Sequence, residues 1–391
     1  MVTLWIWFSL LEGISLKNKR KLLAHYGTPD RLYALDADGI AYAPVPCPQV
    51  LDKDLARAEK VLQDCAKYQI GILTIQDSGY PSLLRRVEDA PIVLYYRGIL
   101  PNWDIQPVIG VVGTRHASPY GLKIAQQISA EIAACGGIVV SGGAFGVDAQ
   151  AARGALSQGK ITVAVMACGL NRPQPTANKE LFEEIMGCGC LISEYPPFTE
   201  VFKGNFLRRN RIISGISNGI LVAEAPIGSG ALNTAQWAQK QERELYAVPG
   251  DIDKEYCAGS NQLIADGATT VLTGWQVLQP YADRYRLTVR KAQPTPAQTD
   301  VLPQKNHPKA KADKINIDKQ ADSPYSGKDV THTLLNEKEK ALVTQLSAEP
   351  IPIDILIERL DMPLPQVLSL ITTLTVRGVV KSHPGRLISL N

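Results

Sequence analysis

Arg115 follows a continuous apolar run, Val108 to Val112, and stands in the segment Gly113-Thr114-Arg115-His116-Ala117 just before Ser118 and Pro119. The run has the length and β-branched content of a strand buried on both faces. Ser118 reads as a helix N-cap, and Pro119 as the first helical residue, where a missing N–H costs nothing. Gly113 to Ala117 is therefore a strand-to-helix loop beneath a helix N-terminus, and the chemistry expected of it is anion binding. Backbone N–H groups and the positive end of the helix dipole favour a phosphate there, and the Arg115 guanidinium adds a bidentate grip.

Two further segments repeat the design. Ile138 to Val140 is a strand, and Ser141-Gly142-Gly143-Ala144-Phe145-Gly146-Val147-Asp148 is a glycine-rich loop opening the next helix. Glu224 ends the strand Gly219 to Ala223, and Pro226 to Thr234, with Ser229 and Gly230 at its centre, gives a third glycine-rich helix start. Phe206-Leu207-Arg208-Arg209-Asn210-Arg211 puts three arginines and an amide at the start of a helix. Arg209 and Arg211 cannot share a helical face, so at least one must leave the solvent side and point toward the sheet edge. Lys179 and Lys203 flank the region within reach of backbone phosphates, and Phe145, Phe198, Phe202 and Phe206 are the aromatic candidates for stacking bases.

Several enzyme classes lack their residues. No G-x-x-x-x-G-K-[ST] is present, which excludes an ATPase of the usual P-loop kind, and neither glycine loop has the G-x-G-x-x-G spacing of a nicotinamide site. No metal triad appears among five scattered histidines, and no nucleophile is paired with a base. No cofactor is expected.

The elements that must position these residues are legible in the alternation of strands and helices from about 105 to 280. That alternation predicts an α/β fold, an extended Rossmann-like doubly wound parallel sheet. Right-handed crossovers then bring the loops after Val112, Val140, Ala167 and Val222 to one carboxyl edge. A chain of 391 residues has room for more than one core. Residues 1–100 read as a small helical module with two lead-in strands, Ile70 to Ile75 and Ile92 to Tyr96; Lys17, Lys19, Arg20 and Lys21 form its basic cluster, either a grip on nucleic-acid backbone or a solvated face. Residues 101–282 form the Rossmann-like domain, and 283–333, broken by prolines and rich in Lys and Arg, a flexible basic linker. Residues 334–391 read as three short helices and a hairpin, a winged helix. Its helix Pro365 to Thr375 has no Lys or Arg, which points to protein contact over reading of a DNA groove.

Composition fits this picture. With 45% hydrophobic and 20% charged residues and a net charge of only +3, any basic surface must be local. Seven scattered cysteines read as reduced thiols. The apolar Leu4 to Leu11 is too short for a membrane span and lacks the flanks of a signal peptide, so a cytoplasmic protein is expected.

The motifs Val-Gly-Thr-Arg at 112–115, Ser-Gly-Gly-Ala-x-Gly-x-Asp at 141–148 and Arg-Asn-Arg-Ile-Ile-Ser-Gly at 209–215 together resemble the DprA/Smf family. Gly-Ser-Gly-Ala-Leu-Asn-Thr-Ala from 228, Ala-Val-Pro-Gly from 247 and Gly-Ser-Asn-Gln-Leu-Ile from 259 strengthen the match, in the family's order. The resemblance implies a homodimer that binds and protects incoming single-stranded DNA and loads the RecA recombinase in natural transformation, without catalytic turnover, and with single-strand-binding protein as a further partner. It implies a DNA-binding set of Arg115, Lys179, Lys203, Arg209, Asn210 and Arg211, with backbone from Gly113, Ser141, Gly142, Gly143 and Gly146. Ala152, Gln174 and Leu207 depart from the family's His, Tyr and Pro at the margin of that set. Two other readings compete: a nucleotide-hydrolysing enzyme of the related Rossmann-like group, whose catalytic Glu would stand where Asn233 and Thr234 are, and an interaction scaffold working through its tail.

Overall fold

The computed structural model describes residues 1–293, 337–347, 351–360, 364–376, 379–383 and 387–390. Residues 1–300 and 301–391 are two separate compact units.

The first unit is built on one nine-stranded sheet. In chain order the strands are β1 (Gly71–Thr74), β2 (Val93–Gly98), β3 (Val108–Val112), β4 (Ile138–Ser141), β5 (Thr162–Met166), β6 (Cys190–Ser193), β7 (Gly219–Val222), β8 (Glu244–Ala247) and β9 (Thr269–Thr270). Their spatial order is β1-β2-β6-β5-β4-β3-β7-β8-β9. Strands β3 to β9 are all parallel, while β1 and β2 add an antiparallel pair against β6. The two lead-in strands expected from the sequence are thus members of the main sheet. The inner strands β3 to β7 are buried along their whole length, so they read as mostly apolar runs rich in Val, Ile and Leu. The order of winding reverses between β3 and β7, which makes the crevice above their carboxyl ends the ligand side of this sheet.

Helices cover both faces. Pro119–Ala134 starts as the sequence suggests, with Pro119 in the first turn and the Ser118 hydroxyl accepting from Gly121 N at 3.0 Å. It packs on Val147–Ser157 at close range: a side chain on Gly154 would lie 3.0 Å from both Ala130 N and Ser129 Cβ. The helix before β9 runs Glu255–Ala265.

The N-terminal helices Val2–Leu10, Leu16–Tyr26 and Ala56–Lys67 pack into the same core as β1 and β2. Three of the four charges of their basic cluster have partners, and Lys21 stays exposed. Lys17 pairs with Glu88, Arg20 donates to the carbonyls of Arg85 and Val87, and Lys19 is 4% exposed with its ammonium donating to Ser9 O at 2.7 Å. Ala282–Tyr285 adds a short helix, and residues 286–293, at the start of the expected linker, lie along the first unit through Cys135–Arg290 and Gln158–Gln293 contacts. The rest of the linker, 294–333, lies outside the described residues.

The second unit has the helices Glu337–Thr344, Ile353–Leu360 and Leu364–Val376. Its three-stranded antiparallel sheet has Leu387–Leu390 at the centre, between Ile351–Pro352 and Val380–His383. This is a winged helix with its own apolar core, including Leu342, Leu356, Val367 and Leu374. Among the described residues no helix is long and apolar enough to cross a membrane, and no cluster of side chains suits a metal.

Burial pushes the Lys19 amine down to about 8 from 10.5, with Arg208 adding to the effect. The folded state therefore holds this proton less tightly than the unfolded chain. The resulting penalty is full below pH 8 and is relieved as pH rises from about 8 toward 10.5. A cost on the order of 3 kcal/mol outweighs about 1 kcal/mol for the bond to Ser9. Lys19→Met should accordingly stabilise the protein by about 2 kcal/mol at pH 7, and the gain should shrink as the two proteins are compared at rising pH up to 10 by urea unfolding.

Candidate nucleic-acid interface

The glycine loops meet at the carboxyl edge, but their anion-binding groups are already taken by carboxylates of the chain itself. At the N-terminus of Pro119–Ala134, Glu224 accepts from Ser118 N and from Ser118 Oγ, both at 2.7 Å, and is 1% exposed. A buried acid at a helix N-terminus is the favourable placement for it. Gly121 makes room for it, since a Cβ there would lie 2.5 Å from the Glu224 carboxyl carbon. In the second loop Asp148 Oδ2 accepts from Gly142 N at 3.1 Å and Ala144 N at 3.4 Å. A Cβ on Gly142 would come within 2.6 Å of the Arg209 guanidinium, so this position must be glycine. Burial pushes the Asp148 carboxyl upward, against the pull of Arg209 and the two loop N–H groups.

Arg209 and Arg211 both turn inward, and neither is a phosphate ligand in this arrangement. Arg209, 4% exposed, donates through Nη1 to Gly142 O at 2.6 Å and to Val165 O, tying the ends of β4 and β5 to the helix Lys203–Ile216. Arg211, 2% exposed, is held by Glu194 at 2.6 Å and Asp89 at 3.2 Å. The expectation that they face a ligand is corrected: the helix is exposed or half-buried as far as Arg208 and buried from Arg209 to Ile216, so both arginines fall in its buried part, and the acids that neutralise Arg211 come from remote segments. Asn210 is likewise internal, reaching Gly230 O at 3.2 Å and Asn233 Oδ1 at 3.3 Å. Ser229 caps the helix Gly230–Lys240 through Ala231 N at 3.3 Å, and neither Ser229 nor Gly230 reaches the cleft described next.

The ligand-facing charge is carried one layer further out. Arg115 is exposed, and its guanidinium lies 4.6 Å above the Phe206 ring, a cation–π stack. Both line a cleft of about 520 Å³ whose wall includes Gly142, Phe145, Arg172 and Phe198. Behind it, Gly113 and Thr114 bring the chain against Glu224 through Thr114 N to Glu224 O at 2.8 Å. Ser141 and Gly143 are buried in the floor, and Gly146 turns the loop with a φ of +71°. The N–H groups of Phe145 and Gly146 find no acceptor among the described residues. Lys179 opens a helix directly after Asn178, whose amide holds the carbonyls of Gly143 and Ala144 at 3.1 and 3.2 Å. Lys203 opens the helix that carries Phe206. Both lysines are exposed, and no described carboxylate pairs with Arg115, Lys179, Lys203 or Arg172. Sequence reading missed Arg172, which sits in a Pro-flanked loop with no periodicity to flag it. It also missed the internal roles of Asp148 and Glu224.

The arrangement is open, cationic and aromatic, and its wall also carries the Glu200 carboxylate and the Cys168 thiol. The sequence model of the DNA recombination-mediator protein A family matches residues 71–282, and that of the DprA winged helix domain matches 329–386. The chain belongs to the DprA/Smf family. Among its relatives, Protein Smf of Synechocystis is 33% identical over 321 residues, covering 80% of this chain and 78% of that one. The DNA processing protein DprA of Streptococcus pneumoniae is 37% identical over 214 residues, covering 53% and 73%. The crystal structure of the S. pneumoniae DprA superposes with a TM-score of 0.63 at 31% identity, over 71% of this chain and 98% of that one. That of Helicobacter pylori DprA, described for its single-stranded DNA binding mode, gives 0.50 at 29% identity over 56% and 97%. Members of the family are DNA-processing proteins.

The two kinds of arginine should separate in a stability measurement. Arg211→Ala leaves Glu194 buried without its partner and is expected to cost about 3–5 kcal/mol in urea unfolding. Arg115→Ala, at the exposed rim, should stay within about 0.5 kcal/mol of the parent.

Proposed function

We propose that this protein binds single-stranded DNA along the carboxyl rim of the sheet, protects it, and hands it to the RecA recombinase during natural transformation. The observation that carries the reading is the Arg115–Phe206 stack on the cleft wall with Arg172, while Lys203, at the start of the helix of Phe206, and Lys179, next to Asn178, are exposed and in no described ion pair. A guanidinium lying on a phenyl ring offers its edge to a phosphate and leaves the aromatic surface beside it to a base, a combination suited to a flexible strand. Duplex DNA keeps its bases inside and would use only the cations. The H. pylori relative, whose structure concerns single-stranded DNA, supports the same ligand here.

No turnover is part of this reading. In the competing hydrolase reading a glutamate would stand where Asn233 is, and Asn233 accepts a hydrogen bond from Asn210 instead. The buried acids Asp148 and Glu224 are engaged with loop and helix-end donors. A homodimer fits the exposed apolar side chains of Ile252 and Leu272, which follow the adjacent parallel strands β8 and β9 at the same end of the sheet. RecA and single-strand-binding protein are the protein partners of this reading, with the winged helix, whose longest helix carries no Lys or Arg, as a protein-contact module.

Fluorescence anisotropy with labelled oligothymidine, against duplex and mononucleotide competitors at two salt concentrations, tests the DNA reading. Single strands should compete best. Arg115→Ala and Lys203→Ala should each weaken binding several-fold and flatten the plot of log K against log salt by about 0.7. Phe206→Ala should cost about 1–3 kcal/mol of affinity. Equal competition by duplex, or hydrolysis of the mononucleotide, would overturn the reading. For the dimer, Ile252→Glu with Leu272→Glu should shift the protein to a monomer in size-exclusion chromatography with light scattering, while the affinity of each protomer for a short strand holds.

A further inference from the structure

A second groove, about 630 Å³, runs where the N-terminal helices meet the loop after β6, and Thr199 lies on the wall of both this groove and the Arg115 cleft. Its cations are Lys19, Arg57 and Arg208; its one acid, Glu12, is drawn to Arg57 at 3.3 Å. Lys19 is the unusual member. An ammonium has three protons to donate, and here one is spent on Ser9 O while no described carboxylate lies within pairing distance. Buried lysines are nearly always paired; this one has the Ser9 carbonyl and the Phe8 ring, 5.9 Å away, and keeps N–H donors for a ligand. Arg208 stays more than half exposed beside it, its Nε 3.7 Å from a Glu194 already engaged by Arg211. Tyr195 Oη, also on the wall, has no hydrogen-bond partner, although buried hydroxyls rarely lack one.

We infer that this groove is a second phosphate-binding subsite for the same DNA strand, with Lys19 and Arg208 as its ligands. It rests on the reading of the Arg115 cleft as the primary single-strand site and extends the strand's path across Thr199 onto the N-terminal module. The ligand is a backbone phosphate. Two cations with a spare hydroxyl suit a tetrahedral anion held by several donors, and the passage into a neighbouring cationic cleft suits a polymer rather than a free ion.

Binding of the shortest oligothymidine that saturates the parent protein's cleft is compared with binding of a strand several times longer. Lys19→Met and Arg208→Gln should leave the short strand's affinity unchanged, lower the long strand's by roughly fivefold, and reduce its salt slope by about 0.7 each. Lys17→Gln, whose partner Glu88 lies outside the groove, is the control for diffuse charge and should change neither. Far-ultraviolet circular dichroism confirms that each variant is folded, and Arg208→Gln, at a half-exposed side chain, leaves the Arg211–Glu194 pair in place. The inference is overturned if both groove variants bind the long strand like the parent, if Lys17→Gln matches their loss, or if the effect appears only with 5′-phosphorylated strands, which would make the site one for strand ends. Failure of the parent to bind any single strand would instead remove the primary reading.

Discussion

Glu224 and Asp148 fill, from within, the helix ends that a parallel α/β sheet leaves open to its ligand. The rest of the edge follows from that occupancy. Gly121 and Gly142 are small because a carboxylate lies against each. Arg209 comes inside to face Asp148 and in doing so fastens β4 and β5 to the helix Lys203–Ile216. With the backbone donors at those points spent, recognition passes outward to long side chains above the rim. A loop that wraps a phosphate in N–H groups selects one compact anion, whereas arginine and lysine heads on flexible stems adapt to phosphates at varying spacing.

Much of this edge is legible in the sequence. The mostly apolar runs of β3 to β7 announce strands buried on both faces, and Ser118 with Pro119 fixes a helix start to the residue. The loops that meet at the carboxyl edge follow from right-handed crossovers alone. What sequence could not supply was the partners of particular side chains. Sequence turns at least one of Arg209 and Arg211 toward the sheet edge but names no partner for it. Their partners Asp148, Glu194 and Asp89 are 61, 17 and 122 positions away by number and are brought close only by the sheet. The basic cluster at 17–21 is likewise divided by the fold: Lys17 pairs with Glu88, Arg20 donates to the carbonyls of Arg85 and Val87, and Lys19 to Ser9 O, while Lys21 stays exposed. Nor does periodicity mark Arg172, which lies between Asn171 and Pro173 in a turn.

The N-terminal helices are bound to the main sheet by more than apolar contact. Arg211 joins Asp89, which precedes β2, to Glu194 after β6, and Arg20 donates to the carbonyls at 85 and 87. The groove of Lys19 lies between these helices and the loop after β6. A groove between elements locked together in this way keeps its shape, and a ligand need not spend binding energy to form it.

The margins of the sheet carry a consequence of another kind. β9 contributes only Thr269 and Thr270, and β1 at the opposite margin has four residues. A long, flat outer strand offers a template of unpaired amides on which foreign chains can stack, and such stacking is the usual beginning of fibrous aggregates. Stubs of two and four residues present too few rungs for that ladder. A nine-stranded sheet of this breadth is thus kept from polymerising by the brevity of its outermost strands.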